Sequence, residues 1–111
     1  MDAGGDAGET MVKKEEYIMQ IATAEIRLFI PWVHSLKEKR MVLKSLLDRM
    51  RAKFNVSAAE VAEQDIHQIA VLGVAAIAGD SAQADSILDT IIRFIEGATE
   101  AEITAVSREM R

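Results

Sequence analysis

The longest uninterrupted apolar run of the chain is IAVLGVAAIA, from Ile69 to Ala78, and it constrains the fold more than any other feature. Its ten residues are about half of the roughly 20 that a helix needs to span a membrane. The turn residues Gly79 and Asp80 follow it directly. A short run that is apolar at consecutive positions and ends at a turn is typical of a strand buried at the centre of a sheet.

The segments before this run predict a strand and then a helix. Residues 17–30 are rich in β-branched side chains and alternate apolar and polar positions in their later part, which predicts a strand that ends at Pro31. Apolar side chains then recur every three to seven positions over residues 35–54, as on the buried side of a helix. Ser35 and Glu38 form a capping-box pattern where that helix would begin.

The remaining segments complete the order of elements. We expect a short exposed strand over residues 56–63, a strand over about 67–78, a second helix ending at Gly97, and a last strand at ITAVSRE. The order strand, helix, strand, strand, helix, strand predicts an α+β, ferredoxin-like βαββαβ fold with two helices on one face of a four-stranded antiparallel sheet. A length of 111 residues with 50% hydrophobic side chains suits one domain, which we place at residues 17–111. Residues 1–16 are rich in Gly, Ala and acids and predict a flexible tail.

Several functional classes are excluded or disfavoured by what the chain lacks. Without cysteine there can be no disulfide framework, thiolate zinc site or cysteine nucleophile. No secretory signal pattern opens the sequence, so we expect a cytoplasmic protein with no membrane contact. No GxxxxGK or GxSxG motif occurs, and we predict neither an enzyme nor a cofactor. Glu63, Asp65 and His67 would share a face of an extended segment, but such groups near a hairpin are more often solvated, so we predict no metal site.

The predicted first helix concentrates positive charge in a chain whose net charge is -5. Residues 34–54 hold seven Lys or Arg side chains and two acids. On a helical wheel Lys37, Arg40, Lys44 and Arg51 fall within a sector of roughly 60°, so they form one ridge. Cations near a helix start, such as Lys39, are disfavoured by a few tenths of a kcal/mol each, a cost that an anionic partner would offset. The ridge therefore predicts contact with RNA or another anion, although a merely solvated basic face is the alternative.

Trp32 lies in the loop before this helix, where its ring could stack on a base or cap the end of the core. The predicted central strand lacks the aromatic platform of the common RNA-binding module of this topology. An RNA contact would therefore use the helix rather than the sheet. The candidate RNA- or anion-binding residues are Trp32, His34, Lys37, Lys39, Arg40, Lys44 and Arg51.

The apolar run also predicts a protein partner. Both alternating sets of its side chains are apolar, and two helices can cover only one face of the sheet. An exposed apolar sheet is unusual for a monomer, so we expect a homodimer through the open face. The pattern alone does not decide which alternating set faces outward.

Three blocks of the sequence carry a family resemblance. HSLKEKRMVLKSLLDRMRAKFNVSAAEV, the QD that follows, and LGVAAIAGD resemble the YlxP-like family of small bacterial proteins of unknown function, over residues from about 17 to the end. The resemblance implies a ferredoxin-like fold and, from the usual gene neighbourhood of the family, a link to the ribosome. It implies no established activity. The chain departs from the family pattern at His67 and Ile69, where relatives usually have Trp and often Arg.

Overall fold

The computed structural model describes residues 19–111, which form six elements. These are strand β1 (Gln20–Phe29), helix α1 (Leu36–Lys53), strands β2 (Ser57–Ala62) and β3 (Ile69–Ala78), helix α2 (Ser81–Ala98) and strand β4 (Glu102–Met110). The strands form one antiparallel sheet in the order β2-β3-β1-β4. The predicted α+β, ferredoxin-like βαββαβ fold is thereby confirmed. The predicted tail over residues 1–16 lies outside the described residues.

Both helices begin with the same side-chain cap. The Ser35 hydroxyl accepts a hydrogen bond from the Glu38 amide at 3.1 Å, and the Glu38 carboxylate accepts one from the His34 amide at 2.5 Å. At α2 the Asp80 carboxylate accepts a hydrogen bond from the Gln83 backbone amide at 2.8 Å. The Gln83 side-chain oxygen accepts one from the Gly79 amide at 2.5 Å. In each pair one of the two amides belongs to the first helical turn, which leaves it without an intrahelical partner, and the other lies one residue before the cap. The start predicted for α1 is confirmed.

The core lies between the two helices and one face of the sheet. Even-numbered residues of β1 and β3, such as Ile26 and Leu72, are buried against the helices, which contribute side chains such as Leu43, Met50 and Ile91. The odd-numbered residues of β3, from Ile69 to Ile77, therefore face outward. The structure thus decides which alternating set of the apolar run forms the open face.

The segment between β2 and β3 is not extended. Glu63 has a φ of 58°, residues 64–65 form a turn, and residues 67–68 form a bend. The geometry on which a shared face of Glu63, Asp65 and His67 depended is therefore absent. Within residues 19–111 no group of three or more His, Asp or Glu side chains is placed to hold a metal ion. No helix in that part of the chain is long and apolar enough to cross a membrane.

Candidate nucleic-acid interface

Most of the positive charge on α1 has a partner inside the protein. Of its seven cations, five contact an acid, a backbone carbonyl or an aromatic ring. They are Lys39, Lys44, Arg49, Arg51 and Lys53. Much of the charge concentration predicted to meet an anion therefore has a structural role.

Lys39 is the clearest correction to the predicted binding surface. Its side chain is only 1% exposed, although the sequence placed it on the anion-binding surface. The ammonium donates to the carbonyls of Glu63 and Ile66 at 2.8 and 2.7 Å and lies 2.6 Å from a carboxylate oxygen of Glu60. Two of its N–H groups thus donate to carbonyls, and the nearby Glu60 carboxylate balances its charge. Lys39 fastens α1 to β2 and to the segment after it, and cannot contact a partner.

Lys39 could have been recognised from its position on the helical wheel. It lies three residues after Leu36 and four before Leu43, within the apolar stripe of α1 rather than beside it. A charged residue inside an apolar stripe indicates a buried ion with a specific partner. The partners themselves come from residues 60–66, which the sequence of α1 does not reveal.

Arg51 is also not part of the exposed basic ridge that the sequence predicts. Its guanidinium donates two hydrogen bonds to the carbonyl of Ala58, at 3.1 and 2.6 Å, and a longer one to Asp48 at 3.4 Å. The side chain therefore ties the last turns of α1 to β2. Lys44 remains exposed but pairs with Asp48 at 2.8 Å. The hydrogen bond from Lys44 holds the pKa of Asp48 below its ordinary value, and the charges of Lys44 and Arg51 add to this effect.

Lys37 and Arg40 are the two cations of α1 that stay exposed without an internal partner. Neither forms an ion pair or a side-chain hydrogen bond with any residue from 19 to 111. They lie three residues apart on the same side of the first two turns, followed by Lys44 one turn later. His34 is exposed just before the helix. The predicted ridge is therefore shorter than expected and confined to the first half of α1.

Trp32 lies next to this exposed end of α1. Its side chain is 43% exposed and lines a groove of about 210 Å³ with Val33, Glu38, Met41 and Val42. The Gln68 side chain holds the turn by donating to the carbonyls on either side of Trp32, at 3.1 and 3.2 Å. The ring is thus partly packed and partly available. The exposed part of the ring is available to stack on a base, and the packed part fits a cap at the end of the core, which are the two roles that the sequence left open.

The open face of the sheet is less apolar than β3 alone suggested. Beside β3, β1 places Thr23, Glu25 and Arg27 on this face, and β4 adds polar side chains. Arg27 reaches Glu63 at 3.4 Å across Val71, which is only 7% exposed. Glu25 and this ion pair line a groove of about 310 Å³ at the centre of the face, together with Val71.

Among the strand residues of the open face, Val61 and Ile77 are the large apolar side chains that are at least half exposed. The Val61 side chain packs over Gly73, where an added Cβ would lie 2.8 Å from a Val61 methyl group. Ile77 is the large apolar residue left most open, at 64% exposure, with Ile21 opposite it on β1. The homodimer through this face remains a prediction, and the face offers a partner less apolar surface than the sequence indicated.

Comparison with known proteins places the chain in a family. Residues 21–108 match DUF503, described as a protein of unknown function. The chain is 39% identical over 89 residues to the uncharacterized protein YlxP of Bacillus subtilis (strain 168), a match that covers 80% of this chain and 97% of that protein. Among solved structures, the de novo designed protein Foldit4 matches with a TM-score of 0.47 and 16% identity, over 85% of this chain and 97% of the designed one. The predicted YlxP-like resemblance is confirmed, and the chain belongs to the DUF503 family of proteins of unknown function.

Proposed function

We propose that this protein is a non-enzymatic cytoplasmic protein that binds RNA through the exposed first half of α1. The residues of this surface, called the α1 surface below, are Trp32, His34, Lys37, Arg40 and Lys44. The observation that carries the proposal is that Lys37 and Arg40 remain exposed without a partner in residues 19–111, while the other cations of α1 have internal contacts. Lys39 and Arg51 are not part of the surface.

The position of Lys37 and Arg40 supports an anionic partner. Both lie in the first turns of α1, where the helix dipole is positive and exposed cations lose a few tenths of a kcal/mol each. No contact within the fold offsets this dipole cost, because neither side chain contacts an acid of the described chain. A phosphate bound between them would offset that cost.

The length of the α1 surface suits a short stretch of nucleic-acid backbone. From Lys37 to Lys44 the helix rises by about 10.5 Å, at 1.5 Å per residue. This length spans a few nucleotides of one strand, so the three cations can each meet a phosphate. The surface thus fits two or three phosphate contacts rather than a long groove.

Trp32 adds an aromatic ring for base stacking, which a purely basic face would lack. Base stacking on an exposed aromatic ring contributes roughly 1–3 kcal/mol per base and does not depend strongly on sequence. The groove beside Trp32 is lined mostly by the apolar residues Val33, Met41 and Val42, and also by Glu38, whose carboxylate accepts a hydrogen bond from the His34 amide. An unpaired base in the groove and its flanking phosphates on Lys37 and Arg40 form one continuous contact. This combination favours single-stranded RNA, and the ribosome link implied by the family resemblance is consistent with it.

A fluorescence titration tests this proposal directly, because Trp32 is the single tryptophan of the chain. We expect a short single-stranded RNA at about 50 mM salt, where screening is weak, to quench its emission. The variant K37Q/R40Q should bind at least tenfold more weakly. The matched control R49Q/K53Q removes the same charge from the far end of α1 and should bind like the wild type. Equal losses in both variants would mean that only net charge matters, and no quenching in the wild type would exclude the proposal.

The second candidate is an assembly module that acts as a homodimer without nucleic acid. The exposed Ile77 side chain on the open face favours it. Light scattering decides whether the 12.2 kDa chain pairs in solution. A dimer that fails to bind RNA would favour this candidate over the first.

A further inference from the structure

The two edges of the sheet differ in how they are protected. β2 is six residues long, shifts register between Glu60 and Ala62, and is followed by Glu63 in a left-handed conformation. The Arg51 guanidinium also occupies the carbonyl of Ala58 on this strand. Short length, irregular pairing and a covered carbonyl are features that keep an edge strand from pairing with another chain. The β2 edge is therefore closed.

The β4 edge has none of these three features over residues 105–111. β4 is nine residues long, and its register shift lies near Thr104, so residues 105–111 pair regularly with β1. Ile21 and Arg111 exchange both backbone hydrogen bonds, at 2.7 and 2.8 Å. Because bonding alternates along an antiparallel pair, the amides and carbonyls of Val106, Arg108 and Met110 point away from β1. Within residues 19–111 no side chain bonds to those outward groups.

We propose that this edge binds the same edge of a second copy of the chain, in antiparallel orientation, to form a continuous eight-stranded sheet. The two-fold axis passes beside Arg108, so that each Val106 lies opposite Met110 of the other copy. The three outward residues of each copy then supply about six backbone hydrogen bonds across the axis. This contact is distinct from the open face, and it does not depend on RNA binding.

The side chains of β4 are self-complementary in this register. Val106 and Met110 are 40% and 39% exposed, and the pairing places Val106 of each copy against Met110 of the other. Arg108 would face its own copy, but Asp89 lies 2.5 Å and Asp85 3.8 Å from its guanidinium. These acids balance the charge on each side. A strand from an unrelated protein would not in general carry apolar side chains at positions that match Val106 and Met110.

The α1 surface remains accessible in such a dimer. α2 packs beside β4, whereas α1 packs beside β2 at the opposite edge of the sheet. A dimer through β4 therefore presents two separate α1 surfaces.

Light scattering on the full chain tests the proposal. We expect the wild type at about 100 µM to have twice the 12.2 kDa chain mass, a concentration at which a contact of micromolar Kd is saturated. The variant V106K/M110K sets like charges against each other across the axis and should raise the dissociation constant at least tenfold with an unchanged circular dichroism spectrum. The control I77K, on the open face, should remain a dimer. A wild-type monomer, or a dimer that I77K disrupts and V106K/M110K does not, would overturn the proposal.

A cross-linking experiment tests the register independently, even if V106K/M110K does not fold. The chain has no cysteine, so each introduced thiol is the only one per chain. Directly opposed residues that exchange backbone bonds have Cα atoms about 5.5 Å apart, within the range of a disulfide. Arg108→Cys should therefore give a disulfide-linked dimer under mild oxidation, whereas Ser107→Cys, which does not face itself, should not. Cross-linking of Ser107→Cys but not of Arg108→Cys would contradict the proposed register.

Discussion

Replacing Lys39 by Met should destabilise the protein strongly while leaving its surface unchanged. Met keeps most of the volume of the side chain but removes the ammonium that contacts Glu60, Glu63 and Ile66. Breaking a buried ion pair by removing one partner costs about 3–5 kcal/mol. The Glu60 side chain is 19% exposed as a whole, but its oxygen next to the ammonium is buried, so we expect a loss within this range, about 3 kcal/mol. For a domain of this size that corresponds to a fall in Tm of roughly 12–24 °C.

Urea unfolding followed by circular dichroism measures this loss. Lys37→Met is the matched control, because Lys37 is two residues away and exposed, and it should change the free energy of unfolding by less than about 0.5 kcal/mol. The double variant K39M/E60M leaves no charge unpaired and should recover part of the stability. At temperatures where it is folded, K39M should bind RNA like the wild type. A loss of less than about 0.5 kcal/mol for K39M would refute the structural role of this lysine.

Three further outcomes follow from the same structure. Gly73→Ala should cost about 1 kcal/mol in the free energy of unfolding, because its Cβ would lie 2.8 Å from a Val61 methyl group, and the cost should disappear in a Val61→Ala background. The pKa of Asp48 is lowered from 3.8 in the folded state, so its pairing with Lys44 stabilises the fold above pH 3.8 and is lost as the pH falls through the lower folded value. The difference in unfolding free energy between wild type and Asp48→Asn should therefore shrink at acid pH, and a difference that grows would contradict the pairing. Tagged protein purified from lysate should carry ribosomal particles that nuclease removes; a protein partner that survives nuclease would favour the assembly module instead.

The fold was predictable because each element has its own local signal. The apolar run ending at Gly79, the alternation before Pro31 and the cap at Ser35 each involve residues close in sequence. Hydrophobic periodicity and capping are properties of the local chain, and the structure confirms the resulting order of elements. The direction in which the apolar run faces could not be predicted, because both of its alternating sets are apolar and only packing against α1 and α2 separates them.

The candidate site was predicted less well because charge on a helix does not reveal its partners. Lys39 and Arg51 have the same chemistry as Lys37 and Arg40, yet they contact carbonyls more than six residues away. Those contacts depend on how β2 lies beside α1. The helical wheel separates Lys39 from the rest, since it falls inside the apolar stripe, but nothing local distinguishes Arg51 from Arg40.

The dependence of RNA affinity on salt tests the central claim most directly. If Lys37, Arg40 and Lys44 each contact a phosphate, log K should fall with log salt with a slope of about −2, since single strands release about 0.7 counterions per contact. The affinity would then fall about 20-fold between 50 and 200 mM salt. For K37Q/R40Q, with one contact left, we predict a slope of about −0.7. No binding at 50 mM salt, or the same slope in both proteins, would contradict an RNA contact through the α1 surface.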